Sequence, residues 1–334
     1  MTIFHWIEEN LAPAVVSSPA FIYDDMASQS GRSLPVVYQP FDAHARSHWR
    51  DRGALFDYLA ATRGVGARLL DFGPGDGWPS LTVAPFARDV VGVDASWRRV
   101  AVCTANAARL GIENARFVQI GATPRLPFAD ASFDGAMAAS SLEQSVEPKL
   151  ALRELARVLR PGGRLRIGYE SLERYRGEAE QDLWLQAIDT DRCRLILFDR
   201  YPEREMARQY GLTLALPAEA VRDHLAPPGE RLAWSDVDVA ALDELREALL
   251  DARVCFTRHP TAHTWMAWLR EAGFREVLAT HSGSAAGGML FDALPAEERP
   301  QTQAAVEAYL RPIVETVVEM AAPVVGEPMI TAVR

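Results

Sequence analysis

Between Ala67 and Tyr169 five short apolar runs alternate with segments of helical character, and that rhythm limits the possible folds more than any other feature of the chain. The runs at Ala67–Phe72, Val90–Val93, Ala115–Ile120, Phe133–Ala138 and Arg164–Tyr169 read as strands. Between the first two lies a helix at Trp78–Ala87, with Pro79 in its first turn and Pro85 inside, where it should kink or shorten the helix. Ser96 caps a helix that runs to Leu110, and Gly111 follows its end. Pro148–Leu159 is amphipathic, and Pro161, Gly162 and Gly163 turn the chain into the fifth strand. Apolar strands separated by helices of this length imply a parallel sheet covered on both faces. The expected fold is α/β, a Rossmann-like doubly wound sheet.

Outside this stretch the pattern is looser. Residues 2–10 read as a short amphipathic helix stopped by Pro13, and a Ser/Pro/Gly-rich stretch follows to about Pro40. Trp49, Leu55, Tyr58 and Leu59 recur at helical spacing in a helix from Ser47 to about Thr62. Residues 171–258, with LWLQAI, EREMARQY and AALDELREALL, read as a mostly helical, charged insertion. A helix from Thr261, capped at Gly273, leads to a strand near Glu276–Thr280; a further helix spans about Glu297–Met320, and PMITAVR closes the chain as a strand expected to run antiparallel. The predicted organisation is an N-terminal flap and helix (1–46), a core (47–170), a helical insertion acting as lid (171–258) and a C-terminal completion of the sheet (259–334).

Composition narrows the function classes. The 334 residues suffice for a sizeable core, and 49% hydrophobic with 24% charged residues describes a soluble globular chain. A net charge of −10 counts against a nucleic-acid binder, whose phosphate contacts want a basic face. Cys103, Cys193 and Cys255 are far apart and encode neither a disulfide framework nor a paired-thiol zinc site, which fits a reducing cytoplasm. MTIFHWIEENLAP lacks the basic region of a signal peptide, and no apolar run approaches membrane-spanning length, so no membrane partner is expected.

The stretch LLDFGPGDGWPS (69–80) carries the chemistry. A glycine loop between strand and helix lets a ligand approach the backbone, because no Cβ stands in the way. In open α/β sheets, ligands bind beyond the carboxyl ends of the strands. A dinucleotide fingerprint, G-x-G-x-x-G, fails here: counted from Gly73, its last position is Trp78. The glycines are Gly73, Gly75 and Gly77, with Asp71 just before them, and Asp94 ends the second strand, where a carboxylate can accept ribose hydroxyls.

DFGPGDG, VVGVDAS, LPFADASFDGAMAASSLEQ and LARVLRPGGRL, in that order over residues 67–170, resemble the motifs of class I S-adenosylmethionine (SAM)-dependent methyltransferases, and AGFREV at 272–277 echoes a further one. The resemblance implies SAM as the cofactor. Gly73, Gly75 and Gly77 would line its aminoacyl part, with Asp71 near the ammonium. Asp94 would hold the ribose hydroxyls and Ala95 would lie along the adenine. Many relatives place an acid before the LPF element to reach the adenine amino group; this chain has Gly121 and Ala122 there, leaving the backbone of Ala122 and Thr123 for that contact. Ser140 would lie beside the methionine and sulfonium, and Tyr23 resembles a segment that folds over the cofactor in some relatives.

The implied reaction is methylation of a small molecule, with the acceptor atom (O, N, S or C) and any catalytic base undetermined. Tyr38, Trp78 and Glu143 are the candidate acceptor residues, because they flank the loop, the flap and the end of the fourth strand; Glu143 could orient a polar group or merely face solvent. Alternatives are a nucleic-acid or protein methyltransferase, a SAM-binding partner subunit without transfer chemistry, and, remotely, a nicotinamide oxidoreductase. A homodimer stays open. Asp134 is expected to brace the fourth strand, Trp265, Trp268 and Leu269 to form a core stripe, and His44 and His48 to be solvated surface residues. Cys255, His259 and His263 share a spacing of four that would suit metal ligands on one helical face, but Pro260 interrupts that helix, and no metal is expected.

Overall fold

The computed structural model describes residues 2–25, 39–177, 180–226 and 232–334. Twelve strands run through them: β1 (Ala14–Val15), β2 (Arg68–Phe72), β3 (Asp89–Asp94), β4 (Ala115–Gln119), β5 (Phe133–Ala139), β6 (Leu159–Gly168), β7 (Gln181–Ala187), β8 (Cys193–Tyr201), β9 (Met206–Leu214), β10 (Leu249–Arg258), β11 (Val277–Thr280) and β12 (Met329–Val333). Two compact units result, one from residues 39–143, 147–170 and 261–334, the other from 2–25, 144–146 and the described part of 171–260.

The first unit holds a seven-stranded sheet in the order β11-β12-β6-β5-β2-β3-β4. Every pair from β6 to β4 is parallel, and β12 runs antiparallel to both β6 and β11. The chain moves outward from β2 through β3 to β4, then returns to the other side of β2 as β5. The reversal at β2 and β5 is a topological switch point, where open α/β sheets bind ligands.

Alternation along the strands sends successive side chains to opposite faces. Leu70, Val91, Ala136 and Leu165 join one core with Leu152, Leu155, Trp265 and Leu269. Leu69, Val90 and Met137 join the other with Trp49, Leu55, Tyr58 and Leu59. Trp265 and Leu269 are thus the core stripe expected of them. The helices run at Arg46–Ala61, Trp97–Leu110, Pro148–Val158 and Ala262–Glu271. Ser96 caps the second of these through the Arg99 N–H, and Gly111 closes it at φ 66°. Pro85 has the predicted effect: the helix after the glycine loop lasts only from Ser80 to Val83 before tightening to a 3-10 turn.

Helix Gly283–Ala293 is absent from the sequence reading, and the following helix is shorter than expected, Gln303–Val317. Gly-rich sequence hid the first of these, yet its glycines are what its packing requires. A Cβ on Gly287 would lie 2.4 Å from the Trp49 carbonyl oxygen, and one on Gly53 2.1 Å from that of Gly283. Asp57 accepts the Gly283 N–H at 2.6 Å and pairs with buried Arg166 through bonds of 2.6 and 2.8 Å.

The second unit corrects the expectation of a helical insertion. Residues 181–258 supply four strands of a five-stranded sheet, β1-β10-β9-β8-β7, antiparallel apart from the short β1–β10 pair. Among the described residues, only Ala218–Leu225 and Val239–Glu244 form α-helices between them. The period-2 signal was masked because both faces are buried and one of them carries charge. Cys193, Leu195 and Leu197 pack into an apolar cluster with Tyr210, Leu212 and Leu214. The intervening Arg194 is only 2% exposed. Its guanidinium donates to Thr213 Oγ1, the Phe21 carbonyl and Asp25. Counted as surface residues, such arginines make a buried strand look like a charged helix.

Candidate functional site

The glycine loop leaves the carboxyl end of β2 at the switch point. Asp71, one residue from the end of β2, has no exposed surface. Its Oδ2 accepts hydrogen bonds from the Ser80 N–H at 3.1 Å and the Ser80 hydroxyl at 2.6 Å. Its Oδ1 is buried and has no partner. Burial raises its pKa to about 7, against the two Ser80 bonds, and Asp94 adds to the rise. A buried acceptor without a donor is costly, so this oxygen is shaped for a donor the described residues do not supply.

Gly73, Gly75 and Gly77 all have positive φ, at 72°, 61° and 112°. They differ in what their bare Cα atoms face. A Cβ on Gly75 would meet none of the described residues within 4 Å, whereas one on Gly73 would lie 2.4 Å from the Ser141 Cβ. Gly73 is therefore needed for packing against the loop after β5, while Gly75 leaves open space. Helix Trp97–Leu110 pins the loop: Asn106 Nδ2 donates to the Asp76 carbonyl at 2.8 Å and the Cys103 thiol to that of Gly75 at 3.2 Å. Ser80, Cys103, Asn106 and Ser141 were not read as site residues; the only signal was proximity in sequence to the loop for Ser80, and to the SSLEQ motif for Ser141.

Asp94 ends β3, and its Oδ1 accepts the Ser96 N–H at 2.9 Å. Ala95 follows, half-buried, with its carbonyl 3.4 Å from Gln119 Nε2. Beyond β4, Ala122 is half-buried and Thr123 exposed; the Thr123 carbonyl accepts the Arg125 N–H at 2.8 Å. Ser140, at the end of β5, sits at φ 49°, a conformation non-glycine residues adopt at a cost and which clusters at functional positions. Its N–H donates to the Gly168 carbonyl at 2.8 Å.

Glu143 does not face solvent. It is fully buried, its Oε1 accepts the Glu170 N–H at 3.0 Å, and its Oε2 has no partner among the described residues. Burial pushes its pKa to about 8, and Glu327 adds to this. Trp78 is half-buried and lies edge-on to Tyr58 at 6.4 Å, packed against the second core cluster. The buried Tyr58 phenol is held above its ordinary pKa by burial first, with Asp57, Asp71 and Glu143 adding to the rise against Arg166. The Cys103 thiol is likewise raised by burial, then by Asp94, Asp71 and Asp76, with Arg99 opposing. Carboxyl groups thus gather at the carboxyl ends of β2, β3 and β5.

The remaining predicted residues fall elsewhere. Tyr23 lies in helix Ala20–Asp24 of the five-stranded unit, packed with Phe21, Ile22, Ile196 and Cys255. Tyr38 lies outside the described residues. Asp134 braces the opposite ends of the strands, accepting the Arg68 N–H at 2.7 Å. His48 is buried rather than solvated, because its Nδ1 accepts the Asp42 N–H at 2.7 Å; His44 is exposed. Cys255 belongs to β10, not a helix, and His259 lies beyond that strand, 3.0 Å from Thr257 Oγ1. Burial lowers the His259 pKa to about 4. No cluster of three metal-ligating side chains occurs among the described residues. None of the described helices is long and apolar enough to cross a membrane.

The strand order defines an open, doubly wound α/β domain with a glycine loop and buried Asp71 at its switch point. Residues 70–167 match the model of the methyltransferase domain family. Curated relatives match over part of the chain. The uncharacterized methyltransferase YcgJ of Bacillus subtilis is 39% identical over 97 residues, 29% of this chain and 38% of that one. The 27-O-demethylrifamycin SV methyltransferase of Amycolatopsis mediterranei is 37% identical over 133 residues, 36% and 48% of the two chains. The matched part spans under half the length of these relatives. Among solved structures, the CcbJ methyltransferase of Streptomyces caelestis aligns over 93% of this chain and 96% of its own at 14% identity, with a TM-score of 0.48. The chain's own strand order carries the fold assignment.

Proposed function

We propose that the chain is a SAM-dependent methyltransferase acting on a small molecule. Buried Asp71, whose Oδ1 has no partner among the described residues, in the strand that leads into the glycine loop is the observation that carries this reading. SAM has an ammonium that can donate to that oxygen and a sulfonium that an acidic field favours, and the residues present fit it. When bound, SAM supplies an activated methyl group. In the proposed site Asp71 holds the ammonium and Gly75 and Gly77 give the backbone close approach. Asp94 accepts the ribose hydroxyls, and Ala95, Ala122 and Thr123 line the adenine. Ser140 borders the methionine.

Methyl transfer is an in-line displacement, so the chain's contribution is to orient the acceptor at near-attack distance and to exclude water. A proton acceptor is needed only if the nucleophile must lose a proton. Glu143, Trp78 and Tyr38 are assigned to the acceptor; the carboxylate of Glu143 could hold or take its proton. The small-molecule reading draws support from relatives named as rifamycin and demethylmenaquinone methyltransferases. The acidic chain, at −10, points the same way and against nucleic acid.

Calorimetry with SAM and with its demethylated product tests the cofactor, and mass spectrometry of a mixed acceptor panel tests the transfer. Binding of SAM with a methylated small molecule is expected. Binding of a nicotinamide dinucleotide in place of SAM, or methylation confined to tRNA or protein, would overturn the reading.

A further inference from the structure

At the amino ends of β2, β5 and β6, the far side of the sheet from the glycine loop, lies a cleft of about 380 Å³. Arg63, Arg88, Arg160 and Arg164 line it, and Asp134 is the one carboxylate among its described lining residues. The walls are open where two glycines contribute: Gly66 and Gly162 have positive φ of 70° and 78°, and a Cβ on either would meet nothing within 4 Å.

The charges around this cleft do not balance. Asp134 is shared, with Arg160 in contact, Arg88 at 3.6 Å and the Arg68 N–H already on its Oδ2. Arg68 pairs with Asp89 at 3.3 Å, which lies 3.9 Å from Arg88 as well. Arg164 pairs with Glu319 at 2.5 Å. Arg63 has no ion-pair partner among the described residues. Arg334, next to Gly162 in space, turns its guanidinium to the carbonyls of Arg157 and Leu159. Five guanidiniums (63, 68, 88, 160, 164) therefore face three carboxylates (89, 134, 319), an excess of two positive charges in a chain whose net charge is −10.

We propose that this cleft binds a polyphosphate anion, either inorganic or the phosphate tail of a nucleotide. Guanidiniums offer paired N–H donors that match phosphate oxygens, and an ion of at least two negative charges would relieve the repulsion. A single chloride-sized ion could neutralise one guanidinium but could not span the four that line the cleft.

Isothermal titration of the full chain with tripolyphosphate and, separately, with magnesium-free ATP tests this at constant ionic strength. The expected result is binding with a Kd below about 1 mM, weakened at least about tenfold in Arg63→Gln/Arg88→Gln. Both side chains are exposed, and circular dichroism confirms that the variant is folded. Glu319→Gln releases Arg164 and should strengthen binding, a gain that misfolding could not produce. Tighter binding of ATP than of tripolyphosphate identifies a nucleotide; equal binding identifies the inorganic chain. No binding of either anion, or binding unchanged in Arg63→Gln/Arg88→Gln, overturns the proposal. None of these outcomes depends on methyltransferase activity.

Discussion

At the carboxyl ends of β2 and β5 two carboxylates lie fully buried with one oxygen each unpartnered, whereas at the amino ends of the same strands guanidiniums outnumber carboxylates and most remain exposed. The sheet is one scaffold, but its ends treat charge differently. At the carboxyl end the charge is desolvated, so its energy depends strongly on whether a cation arrives. At the amino end water screens the excess, and an anion gains less per contact. The unmade hydrogen bonds are concentrated where burial makes them expensive.

The sharpest way to break this contrast is Gly75→Val. Its side chain would enter the open space over the loop, and SAM binding measured by calorimetry should fall below detection. The φ of 61° adds local strain of about 1–2 kcal/mol, so a folded far-ultraviolet spectrum is the control. Retained binding would place the ligand elsewhere.

Asp71→Asn comes next, because it keeps an acceptor for Ser80 while deleting the buried charge. SAM affinity should drop by about 1.5–3 kcal/mol, roughly 10- to 150-fold, while the Tm of the ligand-free protein holds or rises. Asp94→Ala should cost affinity in the same range without the gain in Tm, since Asp94 is only half-buried. A Tm loss in Asp71→Asn without an affinity loss would make the carboxylate purely structural.

A smaller effect is expected from pH. Asp71, raised to about 7, and Glu143, raised to about 8, hold protons more tightly in the folded than in the unfolded chain. The stability they contribute is therefore present at low pH and is lost as pH rises from about 4 through 7 and 8. A cation competes with the proton on Asp71, so SAM affinity should rise with pH by up to about tenfold per unit and level off near 7. Calorimetry in buffers of different ionisation enthalpy should detect the released proton below that pH. An affinity flat between pH 5 and 7, in about the range where the raised pKa acts, would show that Asp71 does not meet the cation. The least effect belongs to the other end: Arg63→Gln should leave SAM affinity within about 0.5 kcal/mol of the parent chain.

The two units also differ in how much of them could be read from sequence. In the seven-stranded unit, the edges of β2 to β5, the Ser96 cap, the Gly111 stop and the antiparallel last strand were legible, because local signals agree there with the tertiary fold, whereas β6 starts at Leu159, five residues before the expected Arg164, and carries Pro161, Gly162 and Gly163 inside it. In the five-stranded unit they were not. β8 and β9 alternate between an apolar face and a face with buried Arg194, Gln209 and Thr213, and the sequence offers no sign that these polar groups are paired inside. At the site, Asp71, Gly75 and Asp94 were visible as types at a spacing. That Gly73 serves packing against Ser141 depends on segments 69 residues apart in the chain, and that Glu143 is bonded inside on a residue 27 positions away.

By itself the sequence determined the elements from Arg46 to Gly168, the switch-point loop and the acidic residues at it, since period, caps and glycines act within a few residues. Only the tertiary structure decided which carboxylate oxygens go without partners, which arginines are buried and which gather at one cleft. Desolvation and ion pairing depend on atoms brought together from distant segments, and no local pattern encodes that distance.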